Sequence, residues 1–250
     1  MGTTYRDDKD LGFLEYCSER DIKHLAKLLI YDEKGKKRLT TQILSDKRFI
    51  ALRGSEEKWS KSWQLVVGEL QHFGGDTIVN LVRRKGVPYR KILRDTCKRM
   101  EVKFEKQKKT WEIESKLIEH FTNNLWVKMS KAEKHEALKS MNQGNFNPEE
   151  FDWSDMPSSA FSTKASAVAW YAWAASAAKA AFAPAVFSRA AIAGASTLIA
   201  QRGATMFLGP AAAVALTIPA FSGTAFRVTV PATIQIAYMR KKYLDRDRFK

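Results

Sequence analysis

The sequence predicts an all-α protein, a multi-helix bundle followed by an Ala- and Gly-rich apolar helical hairpin region. Three observations carry this expectation. Apolar residues recur at helical spacing through the first 155 residues, as in Trp59, Trp63, Val66, Val67, Leu70 and Phe73. Helix start and stop signals punctuate the same stretch. Alternating strand patterns are scarce, the best being Phe226 to Val230, which Pro231 cuts short.

The elements follow in order. Asp10 precedes Leu11, Phe13, Leu14 and Cys17, a short amphipathic turn. Ser18-Glu19-Arg20-Asp21 reads as a capping-box variant, with a hydroxyl at the N-cap and a carboxylate three residues on. It opens a helix carrying Ile22, Leu25, Leu28 and Leu29, which Gly35 ends in a left-handed turn. A short helix is predicted from Thr41 to Phe49, and Ser55 is read as the cap of the Trp59–Phe73 helix. Gly74-Gly75 stops that helix, and Asp76 caps a segment from Ile78 to Val82. Pro88 fits the first position of the next helix, with Tyr89, Ile92, Leu93, Cys97 and Met100 on one face. Lys103 to Lys109 is a charged linker. Thr110 is read as the cap of a helix carrying Ile113, Leu117, Ile118, Phe121, Leu125 and Trp126, and Ser130-Lys131-Ala132-Glu133 is a full capping box. The composition then changes near Met156. Three regions result: a short-helix module at 1–54, a central bundle at 55–155 and an acid-free region at 156–250.

Charge separates the halves more sharply than any motif. No Asp or Glu occurs between Asp155 and Asp245, and the chain as a whole carries +15. The residues from Met156 on supply +9 of this, from 11 Lys and Arg against 2 Asp. A basic surface seeks phosphate, in nucleic acid or in lipid headgroups. Here the cations are diluted in Ala and Phe, which favours lipid or a protein groove over DNA.

The acid-free segment leaves three arrangements open. It can be a small-residue hairpin buried in the fold, since Ala and Gly let helix backbones approach closely. It can be a peripheral or conditionally inserting hairpin, with Trp170, Tyr171 and Trp173 at headgroup level and Arg240, Lys241 and Lys242 against anionic lipid. It can be a transmembrane hairpin turning near Gly209-Pro210, against which Arg202 stands inside the first arm. Phe207, Leu208 and Phe221 would add apolar burial in either membrane arrangement.

Candidate chemistry is sparse. Glu69-Leu70-Gln71-His72 has the Glu-x-x-His shape used in di-iron bundles, but a second copy is missing and only Asp21-Ile22-Lys23-His24 comes near it. Glu112, Glu114 and Glu119 could supply further carboxylates, yet the bland reading of His72 is a helix-end residue. Gly74-Gly75-Asp76 lacks the strand and the Gly-Lys-Ser/Thr of a phosphate loop. Arg83-Arg84-Lys85 with Arg90, Lys91 and Arg94 forms a basic patch, whose bland reading is a solvated helical face. The two cysteines, Cys17 and Cys97, sit in apolar helical patterns as small hydrophobes, which fits a reducing, intracellular setting. No metal, cofactor, catalytic residue or small-molecule substrate is expected.

Several blocks resemble a known family. Asp10-Leu11-Gly12-Phe13-Leu14 with Cys17-Ser18, then Asp32-Glu33-Lys34-Gly35, are similar to the N-terminal module of the YaaW-like bacterial proteins, a family of unassigned function. The run from Trp63 through Gly68, Glu69, Gln71, His72, Gly74, Gly75 and Asp76 resembles that family's most distinctive block, continued by Tyr89 to Asp95. Ser222 to Ala232, including Arg227, resembles its C-terminal signature. Some members carry the label ubiquinol–cytochrome c chaperone, which implies a helical assembly factor near a membrane. The resemblance transfers no active-site residue.

The function expected is a non-enzymatic helical protein of the cytoplasm, peripheral to or conditionally inserted in the inner membrane. Its basic, apolar C-terminal half would meet an anionic membrane surface or a membrane protein. The alternatives are a soluble chaperone or assembly factor in which the Ala-rich segment is core, and a nucleic-acid-binding protein. A protein partner ranks after the membrane and nucleic acid after that.

Overall fold

A computed structural model describes residues 4–73, 86–142, 164–182 and 226–246. Among them are eight α-helices, three 3-10 turns and no strand, so the all-α expectation holds. The helices are α1 (Glu19–Ile30), α2 (Lys47–Ala51), α3 (Trp63–Phe73), α4 (Tyr89–Arg99), α5 (Thr110–Lys128), α6 (Lys131–Asn142), α7 (Lys164–Phe182) and α8 (Phe226–Arg246). The 156–250 region contributes α7 and α8 to the described residues. The proposed hairpin around Gly209-Pro210, together with Gly74, Gly75, Asp76, Phe207, Leu208 and Phe221, lies outside them.

Helix α8 organises the bundle. Every residue from Val228 to Ala237 is buried, including Thr229, Thr233 and Gln235. A helix apolar all round belongs in the centre of a protein. It packs on α7, α1, α5, α4, α3 and the 3-10 turn at Gly12–Tyr16. The alternation at Phe226 to Val230 that imitates a strand is therefore part of this central helix, with Val228, Thr229 and Val230 all buried. Pro231 lies within the helix, and the Thr233 hydroxyl donates to the carbonyls of Thr229 and Val230 beside it. One apolar core joins Leu11 and Leu14, the faces of α1, α3, α4 and α5, and the inner residues of α7 and α8.

Local capping matches the sequence at several ends. Ser18 Oγ accepts from the Asp21 amide at 3.2 Å, and its hydroxyl donates to Asp21 Oδ2 at 2.8 Å. At α6, Ser130 N donates to Glu133 Oε2 at 2.7 Å and Glu133 N to Ser130 Oγ at 3.3 Å. Gly35 has the expected left-handed φ of 76°, but it does not cap α1, which ends at Ile30 with Tyr31 as C-cap; Gly35 instead turns the loop that the Tyr31–Lys37 bridge closes.

Other ends differ from expectation too, among them Pro88, which is the N-cap of α4 rather than its first residue. The helix assigned to a Ser55 cap starts at Trp63, after a 3-10 turn at Ser60–Ser62. The reason is a remote carboxylate: Glu19 Oε2, at the start of α1, accepts from the amides of Trp59 and Ser60, both at 2.8 Å. The Thr41–Phe49 segment is broken into a 3-10 turn at Ile43–Ser45 and α2, because Asp46 accepts from Arg48 N at 2.9 Å and restarts the chain. Helix α5 begins at Thr110 rather than after it, since Glu112 Oε2 reaches back to Lys109 N at 2.7 Å.

Candidate functional site

A buried polar cluster lies where α8 meets the N-terminal module. Its geometry follows from one carboxylate on the wrong face of α5. Glu114 sits among Ile113, Leu117, Ile118 and Phe121 and is buried with them. A buried carboxylate needs a partner and hydrogen bonds. Arg240 of α8 supplies them, with Nε to Glu114 Oε2 at 2.7 Å and Nη2 to Oε1 at 3.2 Å. The Tyr89 hydroxyl of α4 donates to the same Oε1 at 2.6 Å. Burial pushes the Glu114 carboxyl up, and Arg240 and Tyr89 pull it back.

The N-terminal segment closes over this pair. Arg240 Nη2 donates to the Asp10 carbonyl at 2.6 Å, and its guanidinium lies 4.3 Å from the centre of the Phe13 ring. Asp8 Oδ2 accepts from Tyr89 N at 2.7 Å, capping the start of α4 from 81 residues away. Two further pairs tie α8 to the same module: Lys242 Nζ to Asp21 Oδ2 at 2.6 Å, and Arg227 to Glu33. Lys241 instead pairs along its own helix with Asp245 at 3.5 Å.

The family-signature residues form the floor of this arrangement. Gln71 is fully buried, and its amide pairs with the Arg6 backbone as a strand neighbour would, accepting from N at 2.9 Å and donating to O at 2.8 Å. Val87 N donates to the Gln71 carbonyl at 2.9 Å, and Arg6 Nη1 donates to the Gly86 carbonyl at 3.1 Å. A Cβ on Gly86 would stand 2.7 Å from Gln71 Cβ, so this approach requires glycine. Glu69 is buried and accepts from Gln42 N at 3.3 Å. Trp63 meets Tyr5 edge-on at 5.3 Å, and Gly68 is buried within α3. His72, in the last turn of α3, is half-buried. The described residues hold no cluster of His, Cys, Asp and Glu with metal-ligand geometry.

The aromatic residues expected at headgroup level are core side chains in this conformation. Trp170 is fully buried, its Nε1 donating to Thr122 Oγ1 at 3.2 Å. The Trp173 ring lies tilted 5.0 Å from it, and the Tyr171 hydroxyl donates to Ser115 Oγ at 2.9 Å. Ala174, Ala175, Ala177 and Ala178 of α7 are buried as well. No helix among the described residues is long and apolar enough to cross a membrane.

A second buried cluster accompanies the first. Lys179 of α7 is buried, and desolvation lowers its ammonium to about 8 despite Asp21 nearby. His24 of α1 lies beside Lys179, Arg20, Asp21 and Lys27; burial first, then Lys179 and Arg20, lower it to about 3. The native state therefore refuses a proton that the unfolded chain takes up below its ordinary value of 6.5. Stability should fall as pH drops from 6.5 toward 3, by about 3 kcal/mol from this group after allowing for its partial exposure. Urea unfolding of His24→Leu across that range should show the dependence flattened. Cys97 is buried and pushed up to about 12, an inert thiol.

Sequence reasoning missed Glu19, Glu33 and Asp21 as partners of distant residues, and it considered Glu114 only as a metal ligand. Glu114 did carry a signal, being a carboxylate on an apolar helical face. Lys179 carried the same kind of signal within its Ala-rich face.

Comparison with known proteins places these features in a lineage. Residues 5–39, the module that holds Asp8, Asp10, Asp21 and Glu33, match a domain of unknown function, DUF3944. The chain is 36% identical to UPF0174 protein YaaW of Escherichia coli K12 over 253 residues, covering 96% of this chain and 97% of that protein. The O157:H7 protein of the same name matches equally, at 36% over 96% of the chain. A UPF0174 protein of Helicobacter pylori J99 is 26% identical over 146 residues, 57% of this chain and 56% of its own length. No solved structure matches the chain.

Proposed function

The chain belongs to the UPF0174 family, and from that premise we propose a non-enzymatic protein whose basic C-terminal half meets an anionic membrane surface or a membrane protein, while the N-terminal module holds α8 in a clasped state. One observation carries the proposal. Residues 156–244 contain no acid, and apart from Lys241, which pairs with Asp245, the ion pairs of α8 reach out of that half. Arg240, Lys242 and Arg227 find their counter-ions in Glu114, Asp21 and Glu33 of the N-terminal half. Anionic headgroups offer the same chemistry and compete for the same cations.

The clasp makes the membrane state conditional. Trp170, Tyr171, Trp173, Arg240 and Lys242 meet lipid only when α7 and α8 leave the core. The closed form attaches peripherally, and opening under stress would expose the apolar half for insertion. The names of the relatives carry no activity.

A second reading has its own support. Helix α7 is the Ala-rich segment, and it is packed as core. That favours a chaperone or assembly factor for the described part of the region, with a client protein in place of lipid.

Cell fractionation of the full chain separates the two. The membrane reading expects a pelleted fraction released by high salt and by carbonate. Recovery wholly in the supernatant under every condition would remove it and leave the chaperone reading in front.

A further inference from the structure

The charged stretch Lys103 to Lys109 plays no part in the clasp, yet it is not a slack linker. Arg90 of α4 donates to the carbonyls of Lys106 and Lys108 and to Thr110 Oγ1, and Arg94 donates to the Lys106 carbonyl. Two guanidiniums thus hold the loop in shape from below and add their own charge to it. The loop carries four Lys against Glu105. Lys103, Lys106 and Lys109 are exposed. Glu112, the other acid in the lining of the adjacent groove, is engaged by Lys109 N and by Lys108.

Beside the loop runs a groove of about 530 Å³, with Phe104, Trp111 and Ile113 among its lining. Trp111 is 49% exposed, while Phe104 is partly buried against the core and Ile113 is buried. A half-exposed Trp among lysines, over an apolar floor, is the combination that sits at a bilayer interface. Nucleic acid would instead ask for several open aromatic faces on which successive bases stack, and on this face Trp111 is exposed while Phe104 is partly buried against the core.

We propose that the 103–116 face is the surface by which the clasped protein docks on an anionic phospholipid bilayer, the lysines over the headgroups and Trp111 at their depth. This rests on the membrane reading above and names the face that reading lacks, since Trp170, Tyr171 and Trp173 are buried.

The test is binding of the full chain to phosphatidylglycerol-containing vesicles, with pure phosphatidylcholine vesicles as reference. The triple variant Lys103→Gln, Lys106→Gln, Lys109→Gln should weaken binding about 100-fold at low salt. A control triple at the exposed Lys34, Lys36 and Lys37, with the same change in net charge, should weaken it far less. Trp111→Ala should weaken binding while leaving its salt dependence intact. Thermal unfolding of each variant establishes that it folds. Equal losses from the two triples would overturn the proposal and leave the membrane reading standing. No binding by the wild-type chain would remove both. Loss of affinity for a single-stranded oligonucleotide, with vesicle binding unchanged, would reassign the face to nucleic acid.

Discussion

Residues 1–155 expressed alone should show no cooperative unfolding transition. The reason is the place of α8. Its Val228, Val230, Ile234, Ile236 and Met239 are all buried against helices of both halves. Burying five such side chains is worth roughly 8–15 kcal/mol. That matches the whole net stability of an ordinary domain, about 5–15 kcal/mol. Removing α8 also leaves Glu114 buried without its cation and opens the Leu11–Leu14 turn to water. Circular dichroism during thermal and urea unfolding checks the expectation. A sharp transition with helix content like that of the same residues in the full chain would show that the N-terminal half has a self-sufficient core.

The second large effect concerns Glu114 and Arg240. Replacing either alone, by Glu114→Ala or Arg240→Ala, should cost about 3–5 kcal/mol, because it strands the other charge in the interior. The double change Glu114→Gln with Arg240→Met should recover much of that loss. The Gln oxygen still accepts from Tyr89, and Met fills the space of the guanidinium stem. Urea midpoints at constant slope provide the measurement. Simple additivity of the Glu114→Gln and Arg240→Met effects would mean that the two side chains do not act as a pair.

How far the sequence reveals this depends on the range of each interaction. Ser18 with Asp21, Ser130 with Glu133, and the left-handed turn at Gly35 are local, so spacing alone exposes them. The apolar faces of α1, α3, α4 and α5 are legible for the same reason. Glu19 capping Trp59 and Ser60 is not, since nothing near Trp59 announces a carboxylate 40 residues earlier. Glu114 shows as an anomaly on its face without naming Arg240, 126 positions away. Gln71 and Gly86 show in the sequence only as a signature residue and a hinge, and their meaning appears once Arg6 lies between them.

The acid-free half is ambiguous for a different reason. Alanine is neutral enough for a lipid environment and small enough for close helix contact. Composition therefore cannot separate a buried α7 from an interfacial one. Burial of Trp170 and Trp173 places α7 in the core of this structure. Residues 183–225 retain the charge pattern that suggests a membrane, with Arg189 and Arg202 and no acid.

The clasp and the membrane meet in one measurement: flotation with phosphatidylglycerol vesicles of the full wild-type chain and of a variant carrying Asp21→Asn and Glu33→Gln. These substitutions remove the counter-ions of Lys242 and Arg227 while keeping side-chain size. The expected result is that salt releases the wild-type chain completely, whereas the variant retains a salt-resistant bound fraction. If neither chain floats, or if salt releases both equally, the N-terminal module does not guard a membrane-seeking half.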